Sequence, residues 1–154
     1  MKPTRGSKNL RTRRFSEVGA FYSITTATVD REPLLKTPTC ARLVINVFQW
    51  LEDQGRIEIF ALVVMPDHVH GIFELKLNSP SKVVHSLKSF SANKINEALG
   101  RTGPVWQPQY FERRVRSEKE LRERARYILE NPVRKGLVMD ERDYLYFALG
   151  FSLD

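Results

Sequence analysis

Hydrophobic and polar positions along the chain change period several times, and each change marks a predicted element. From Ala20 to Val29 the sequence AFYSITTATV is dense in aromatic and β-branched residues and predicts a first strand. Asp30 to Lys36 is a connecting loop. Thr37-Pro38 then supplies a helix cap followed by a first-turn proline, and Leu43, Val44, Val47, Phe48 and Leu51 recur at three- and four-residue spacing. This amphipathic helix is closed by Gly55, with Trp50 beside its apolar stripe as a packing residue. Ile57 to Met65 is almost continuously apolar, as expected of a central strand covered on one side by helices. Pro66-Asp67 turns the chain, and His68 to Leu75 returns antiparallel with strict alternation. His68, His70, Ile72 and Glu74 therefore share one face, while Val69, Gly71, Phe73 and Leu75 share the other. Gly71 is predicted to admit a ligand or another backbone at close range.

Ser79-Pro80 repeats the cap-and-proline start. Val83, Val84, Leu87, Phe90, Ile95 and Leu99 predict a second long helix that ends at Gly100. Its polar face carries Lys82, His85, Lys88, Ser89 and Lys94. The proline-rich run from Gly103 to Pro108 cannot be helical and leads into an edge strand near Tyr110 to Arg116. Ser117 to Glu120 is a capping box, so a third helix starts there and is predicted to stop at Asn131, before Pro132. On that helix Leu121, Ala125, Ile128 and Leu129 form an apolar stripe. Glu120, Arg124, Tyr127 and Asn131 form a separate one, about 60° wide.

The order strand, helix, strand, strand, helix, strand predicts an α+β, ferredoxin-like or RRM-like antiparallel sheet with two helices on one face. The third, tyrosine-bearing helix is expected to lie across the open face. The expected division is a basic tail at 1–19, one domain at 20–138 and a C-terminal tail at 139–154.

Composition narrows the function. At 154 residues the chain holds a single core, and its one cysteine, Cys40, permits neither an internal disulfide nor a cysteine-based zinc site. No apolar run is long enough to span a membrane and no signal-peptide pattern is present, so a soluble, cytoplasmic protein with no membrane partner is expected. The net charge of +7 points to a polyanionic partner, and Lys2, Arg5, Lys8, Arg11, Arg13 and Arg14 crowd the N-terminus without an acidic residue.

The chemistry-bearing candidates are His68 and His70, whose spacing on a strand can aim two imidazoles at one divalent ion. Tyr127 is a weak nucleophile at neutral pH and needs an electrophile made more reactive, which a metal bound to a phosphodiester oxygen would supply. Asn131, one turn further on, offers a neutral oxygen as third ligand, a set that suits Mg²⁺ or Mn²⁺. Two histidines on a strand, or a tyrosine near a helix end, are equally compatible with purely structural roles when each is taken alone.

Together the segments resemble a known family. Met65-Pro66-Asp67-His68-Val69-His70-Gly71 is similar to the histidine-hydrophobic-histidine motif of single-tyrosine HUH transposases. The run from Tyr127 through Asn131-Pro132-Val133-Arg134 to Val138 resembles the tyrosine helix of their REP-associated branch. Val105-Trp106-Gln107, Phe111 and Arg113 to Arg116 resemble the family's linking segment. The resemblance implies a metal-dependent endonuclease and strand transferase acting on single-stranded DNA near a hairpin. It implies Tyr127 as nucleophile forming a 5′-phosphotyrosine, and His68, His70 and Asn131 as metal ligands. Lys82, Lys88, Lys94, Arg113, Arg114 and Arg116 become the DNA-binding candidates, and Glu120 and Arg124 the residues that could orient Tyr127. A monomer is expected by analogy with the REP-associated branch, whereas insertion-sequence relatives exchange tyrosine helices in dimers. Three rivals stand beside this reading: an RRM-like binder using Phe21, Tyr22 and Phe73, a phosphodiesterase in which water attacks, and a domesticated regulator that binds DNA without cleaving it.

Overall fold

The computed structural model describes residues 17–150. The basic cluster at Lys2 to Arg14 lies outside the described residues. Five strands form one antiparallel sheet: β1 (Phe21–Ala27), β2 (Ile57–Met65), β3 (His68–Leu75), β4 (Phe111–Arg114) and β5 (Phe147–Leu149). Their spatial order is β4-β1-β3-β2-β5, and three helices accompany them: α1 (Pro38–Asp53), α2 (Pro80–Leu99) and α3 (Glu118–Arg134). The α+β architecture expected from the sequence is thus present, extended by a fifth strand. That strand comes from the segment expected to be a tail: residues 147–149 pair with β2, and Tyr144 donates its hydroxyl to Val64 O at 2.6 Å.

Strand alternation sorts the side chains into two cores. Tyr22, Ile24, Leu62, Val64, Val69, Phe73 and Leu75 face α1 and α2 and join Val44, Phe48, Val83 and Leu87 in the larger core. Gly71 belongs to this side. A methyl group there would meet Leu62 Cδ1 at 3.3 Å and Phe48 Cε1 at 3.7 Å. The close approach that Gly71 permits is therefore that of the neighbouring strand and α1, and not of a ligand.

The opposite face carries the smaller core, where Ala61, Val63, Met65 and Ile72 meet Ala125 and Ile128 of α3. Full burial of Ile128 contributes about 2 kcal/mol, which is what docks the helix on the open face. Ser117 Oγ caps α3 by accepting from Glu120 N at 3.1 Å.

The far end of α3 departs from expectation. Proline disfavours helical geometry in the residue before it, yet the helix continues through Asn131 and Pro132 to Arg134. Pro132 is buried, and the end is closed by Gly136 at φ 75°, with Gly136 N donating to Val133 O at 3.0 Å and Leu137 N to Pro132 O at 2.9 Å. This left-handed closure satisfies the last carbonyls and, with the burial of Pro132, offsets the hydrogen bond the proline cannot make. Among the described residues no helix is long and apolar enough to cross a membrane.

Candidate active site

The β2–β3 turn builds one half of the site. Asp67 sits in that turn and is held from three sides: Thr28 N and Thr28 Oγ1 donate to its carbonyl at 2.9 and 3.1 Å, and Arg31 Nε donates to its Oδ2 at 3.0 Å. Its other carboxylate oxygen, Oδ1, lies 2.9 Å from His68 Nδ1. Burial opposes the ionised form of Asp67, but His68 and Arg31 prevail and hold its carboxyl below the usual range. The carboxylate therefore fixes the proton on Nδ1 and leaves the Nε2 lone pair of His68 facing inward.

Nε2 faces Asn131, which is itself buried at 3% exposure, with the amide nitrogen 3.4 Å away. The same amide turned end for end presents its oxygen at that place. His70 follows two residues on, emerges on the same face, and lies 3.5 Å from Ser23 Oγ on the neighbouring strand. Burial pushes both imidazoles below their ordinary value of 6.5. His70 falls to about 4, chiefly through burial and then through the charges of His68, Arg124 and Arg134. Both rings are thus neutral near pH 7 and able to donate lone pairs.

This burial has a measurable consequence for stability. The unfolded chain takes up a proton on each histidine near pH 6.5, whereas folded His70 resists until about pH 4. Stability is accordingly full above pH 6.5 and falls as pH drops through the window to 4, with His70 accounting for about 3 kcal/mol at most. Urea unfolding followed at pH 7.5, 6, 5 and 4.5 checks this, and His70→Gln should flatten the slope.

Whether these residues suit a divalent ion follows from their donors. Among the described residues no group of three or more His, Cys, Asp and Glu side chains could hold a metal ion. The set at hand is instead two neutral imidazoles and one amide, with a carboxylate orienting the first ring. It fits an ion that keeps open positions for phosphate oxygens. If an ion is held there, Asp67→Ala should raise the metal concentration needed for half-maximal activity by about 10- to 100-fold, because it would free the His68 ring without removing a donor. A metal titration of activity measures this directly.

The other half of the site is the exposed side of α3. Tyr127 is 52% exposed, its ring 5.9 Å from that of His70, and its hydroxyl makes no hydrogen bond among the described residues. It lines an open pocket of about 670 Å³ together with His70, Arg113, Glu120, Glu123 and Arg124. Arg134 stacks its guanidinium 3.8 Å from the Tyr127 ring centre and donates to Tyr127 O at 2.7 Å. The ring is thereby held between a cation and His70.

The two residues considered for orienting Tyr127 are bonded elsewhere. Glu120 accepts from Arg113 Nε at 2.6 Å, Arg124 Nε at 2.9 Å and Arg116 N at 2.8 Å, and these partners pull its carboxyl down to about 2. It acts as the hub that keeps Arg113 and Arg124 at the pocket.

The six basic candidates separate. Arg113 lines the pocket, and Arg116 is exposed at the start of α3. Arg114 faces the other way and pairs with Glu17 at 2.7 Å. Lys82, Lys88 and Lys94 belong to α2, in the layer behind the sheet, away from Tyr127. Lys88 is engaged there, with Nζ 2.7, 3.3 and 3.4 Å from the carbonyls of Gln107, Pro108 and Gln109. It ties the linking segment to α2. Trp106 Nε1 adds a donor bond to Ser91 Oγ at 2.9 Å.

The sequence reading missed Asp67 and Arg134. The first looked like an ordinary turn residue, and the second lay beyond the predicted end of its helix. The RRM-like rival loses its aromatics, since Tyr22 and Phe73 are buried beneath α1 and α2 and Phe21 packs into the smaller core under α3.

Comparison with known proteins finds relatives of one class. A REP-associated tyrosine transposase of Escherichia coli K12 is 33% identical over 90 residues, covering 56% of this chain and 51% of its own. A Haemophilus influenzae protein assigned to the same class is 27% identical over 100 residues, covering 58% of this chain and 57% of its own. The chain thus spans about half the length of the curated relatives it matches. The solved structure of a REP-associated tyrosine transposase bound to a REP hairpin superposes with a TM-score of 0.69 at 28% identity, over 88% of this chain and 79% of that one. Residues 18–131, which include β1 to β4, both histidines and Tyr127, match the family described as transposase IS200-like, and to that family this chain belongs.

Proposed function

We propose that the protein is a transposase-type nuclease and strand transferase that cuts single-stranded DNA beside a hairpin, with Tyr127 as nucleophile. The observation that carries this reading is the placement of an exposed tyrosine beside neutral His70 and two pocket arginines, with neutral His68 two residues from His70 on the same strand face, built by separate segments of one chain. Such a site offers a nucleophile and an anion cradle in one pocket, with an electrophile binder reaching its edge through His70. The site is complete within a single chain, which supports a monomer.

His68, His70 and Asn131 would hold Mg²⁺ or Mn²⁺, which when bound supplies Lewis-acid polarisation of the scissile phosphate. Arg113 and Arg124 attract the phosphate and balance its charge. The Tyr127 oxygen attacks phosphorus and gives up its proton to solvent, the bond from phosphorus to the 3′-oxygen breaks, and that oxygen takes up a proton from solvent and leaves as a 3′-hydroxyl. The 5′-phosphate stays on the tyrosine. Attack by another 3′-hydroxyl reverses the step and joins strands. Asp67 and Arg134 do no bond-making; they hold the His68 tautomer and the Tyr127 ring.

End analysis tests the scheme. Hairpins drawn from repeats flanking the gene are incubated with Mn²⁺ or Mg²⁺, with and without chelator. The new 3′ ends should be extendable by a polymerase and the new 5′ ends blocked by protein, with no cleavage in chelator. Free 5′-phosphates would instead identify water as the attacking group.

A further inference from the structure

Beyond the reacting centre, the sheet face has, among the described residues, one aromatic side chain that neither core uses. Thr25 pairs with His70 on one side and with Phe111 on the other, so Phe111, Thr25 and His70 form a single cross-strand row. Residues paired in register point to the same face, which places Phe111 on the side of Tyr127, about 10 Å from His70 by two strand spacings. Phe21 and Phe60 on this face pack edge to face at 5.9 Å within the smaller core. Phe111 joins no core and is 54% exposed.

An isolated exposed phenylalanine needs no explanation in itself. This one is held in place. Gln107 N donates to Ala27 O at 2.9 Å and Lys88 clasps the three carbonyls that follow, so the strand carrying Phe111 starts from a fixed point. Two residues along the same face, Arg113 lines the Tyr127 pocket. A cation for the phosphate and a flat apolar ring for the base therefore stand side by side on one edge strand, the pairing by which proteins hold single strands.

We propose that Phe111 is a base-stacking subsite, which binds a nucleobase of the single strand within two nucleotides of the phosphate cleaved at Tyr127. The inference rests on the DNA-cleaving reading above and adds to it the position of the strand on the sheet. Stacking on a π-face is tolerant of base identity, so Phe111 sets where the strand lies and contributes affinity, while discrimination between bases falls to other groups.

The test uses the full chain and hairpin oligonucleotides carrying 2-aminopurine, one position at a time, around a cleavage site mapped beforehand. One position within two nucleotides of the cut should be quenched on binding, and the quench should vanish in Phe111→Ala. Phe111→Ala should weaken binding about tenfold and Phe111→Trp should restore it. An abasic substrate at that position should bind wild type and Phe111→Ala equally. Cleavage by wild type without any Phe111-dependent position would overturn this inference and leave the cleavage reading standing. So would a dependence confined to the hairpin stem, or equal losses on intact and abasic substrates. Binding and quenching as expected, with cleavage that survives Tyr127→Phe, would keep the subsite and overturn the reading of Tyr127 as nucleophile. Failure to bind any hairpin or single strand would overturn both.

Discussion

Tyr127→Phe is expected to lower DNA cleavage by about 10⁴-fold or more, to the background left by binding alone, while hairpin affinity stays within about twofold of wild type. The substitution removes one oxygen. The ring keeps its place beside His70 and under the Arg134 guanidinium, because both contacts are made to the ring and to the Tyr127 backbone carbonyl. The hydroxyl makes no hydrogen bond among the described residues, so no buried partner is orphaned by its loss. Parallel cleavage and electrophoretic binding assays measure both quantities. Loss of binding together with cleavage would mean that the tyrosine builds the surface and does not attack.

His70→Ala should cost more than the 10- to 100-fold expected of Asp67→Ala, since it removes a donor and not merely the group that orients one. His70 is half of the imidazole pair, and Asn131 with His68 alone cannot enclose an ion from the His70 side. DNA affinity should persist, because Arg113 and Arg124 are held at the pocket by Glu120, independently of the histidines. Raising Mn²⁺ should recover part of the activity. A chelator should reduce wild type to the level of the variant. A variant as active as wild type at low metal, or a wild type indifferent to chelation, would assign the pair a structural role.

The two halves of the site were legible in the sequence to different degrees. His68 and His70 declare themselves because strand alternation is strict, and β3 keeps it for eight residues. Asp67 does not, because an aspartate after proline is an ordinary turn former, and its reach to His68 Nδ1 depends on Arg31 and Thr28 arriving from another loop. Arg134 lies seven residues from Tyr127, two helical turns along the same face, a relation that exists only if the helix passes through Pro132. The local rule for the residue before proline hid it. Burial of Pro132 and the turn at Gly136 overrode that rule. β5 is three residues long, too short to show a period, and is held by tertiary contacts such as Tyr144 to Val64. The lysine-rich face of α2 shows the limit of charge patterning: Lys88 is a clasp for the linking segment, a use that no spacing along a helix could reveal.

In the proposed mechanism the oxygen of Tyr127, and no other, makes the bond to DNA. Wild-type protein incubated with a hairpin oligonucleotide and Mn²⁺, then denatured, digested with trypsin and nuclease and read by mass spectrometry, puts this to the test. Trypsin cuts after Arg126 and Arg134, so a nucleotide is expected on the peptide running from Tyr127 to Arg134 and on no other. Cut DNA with every peptide unmodified, or a nucleotide on the peptide that carries Tyr110, Tyr144 or Tyr146, would contradict it.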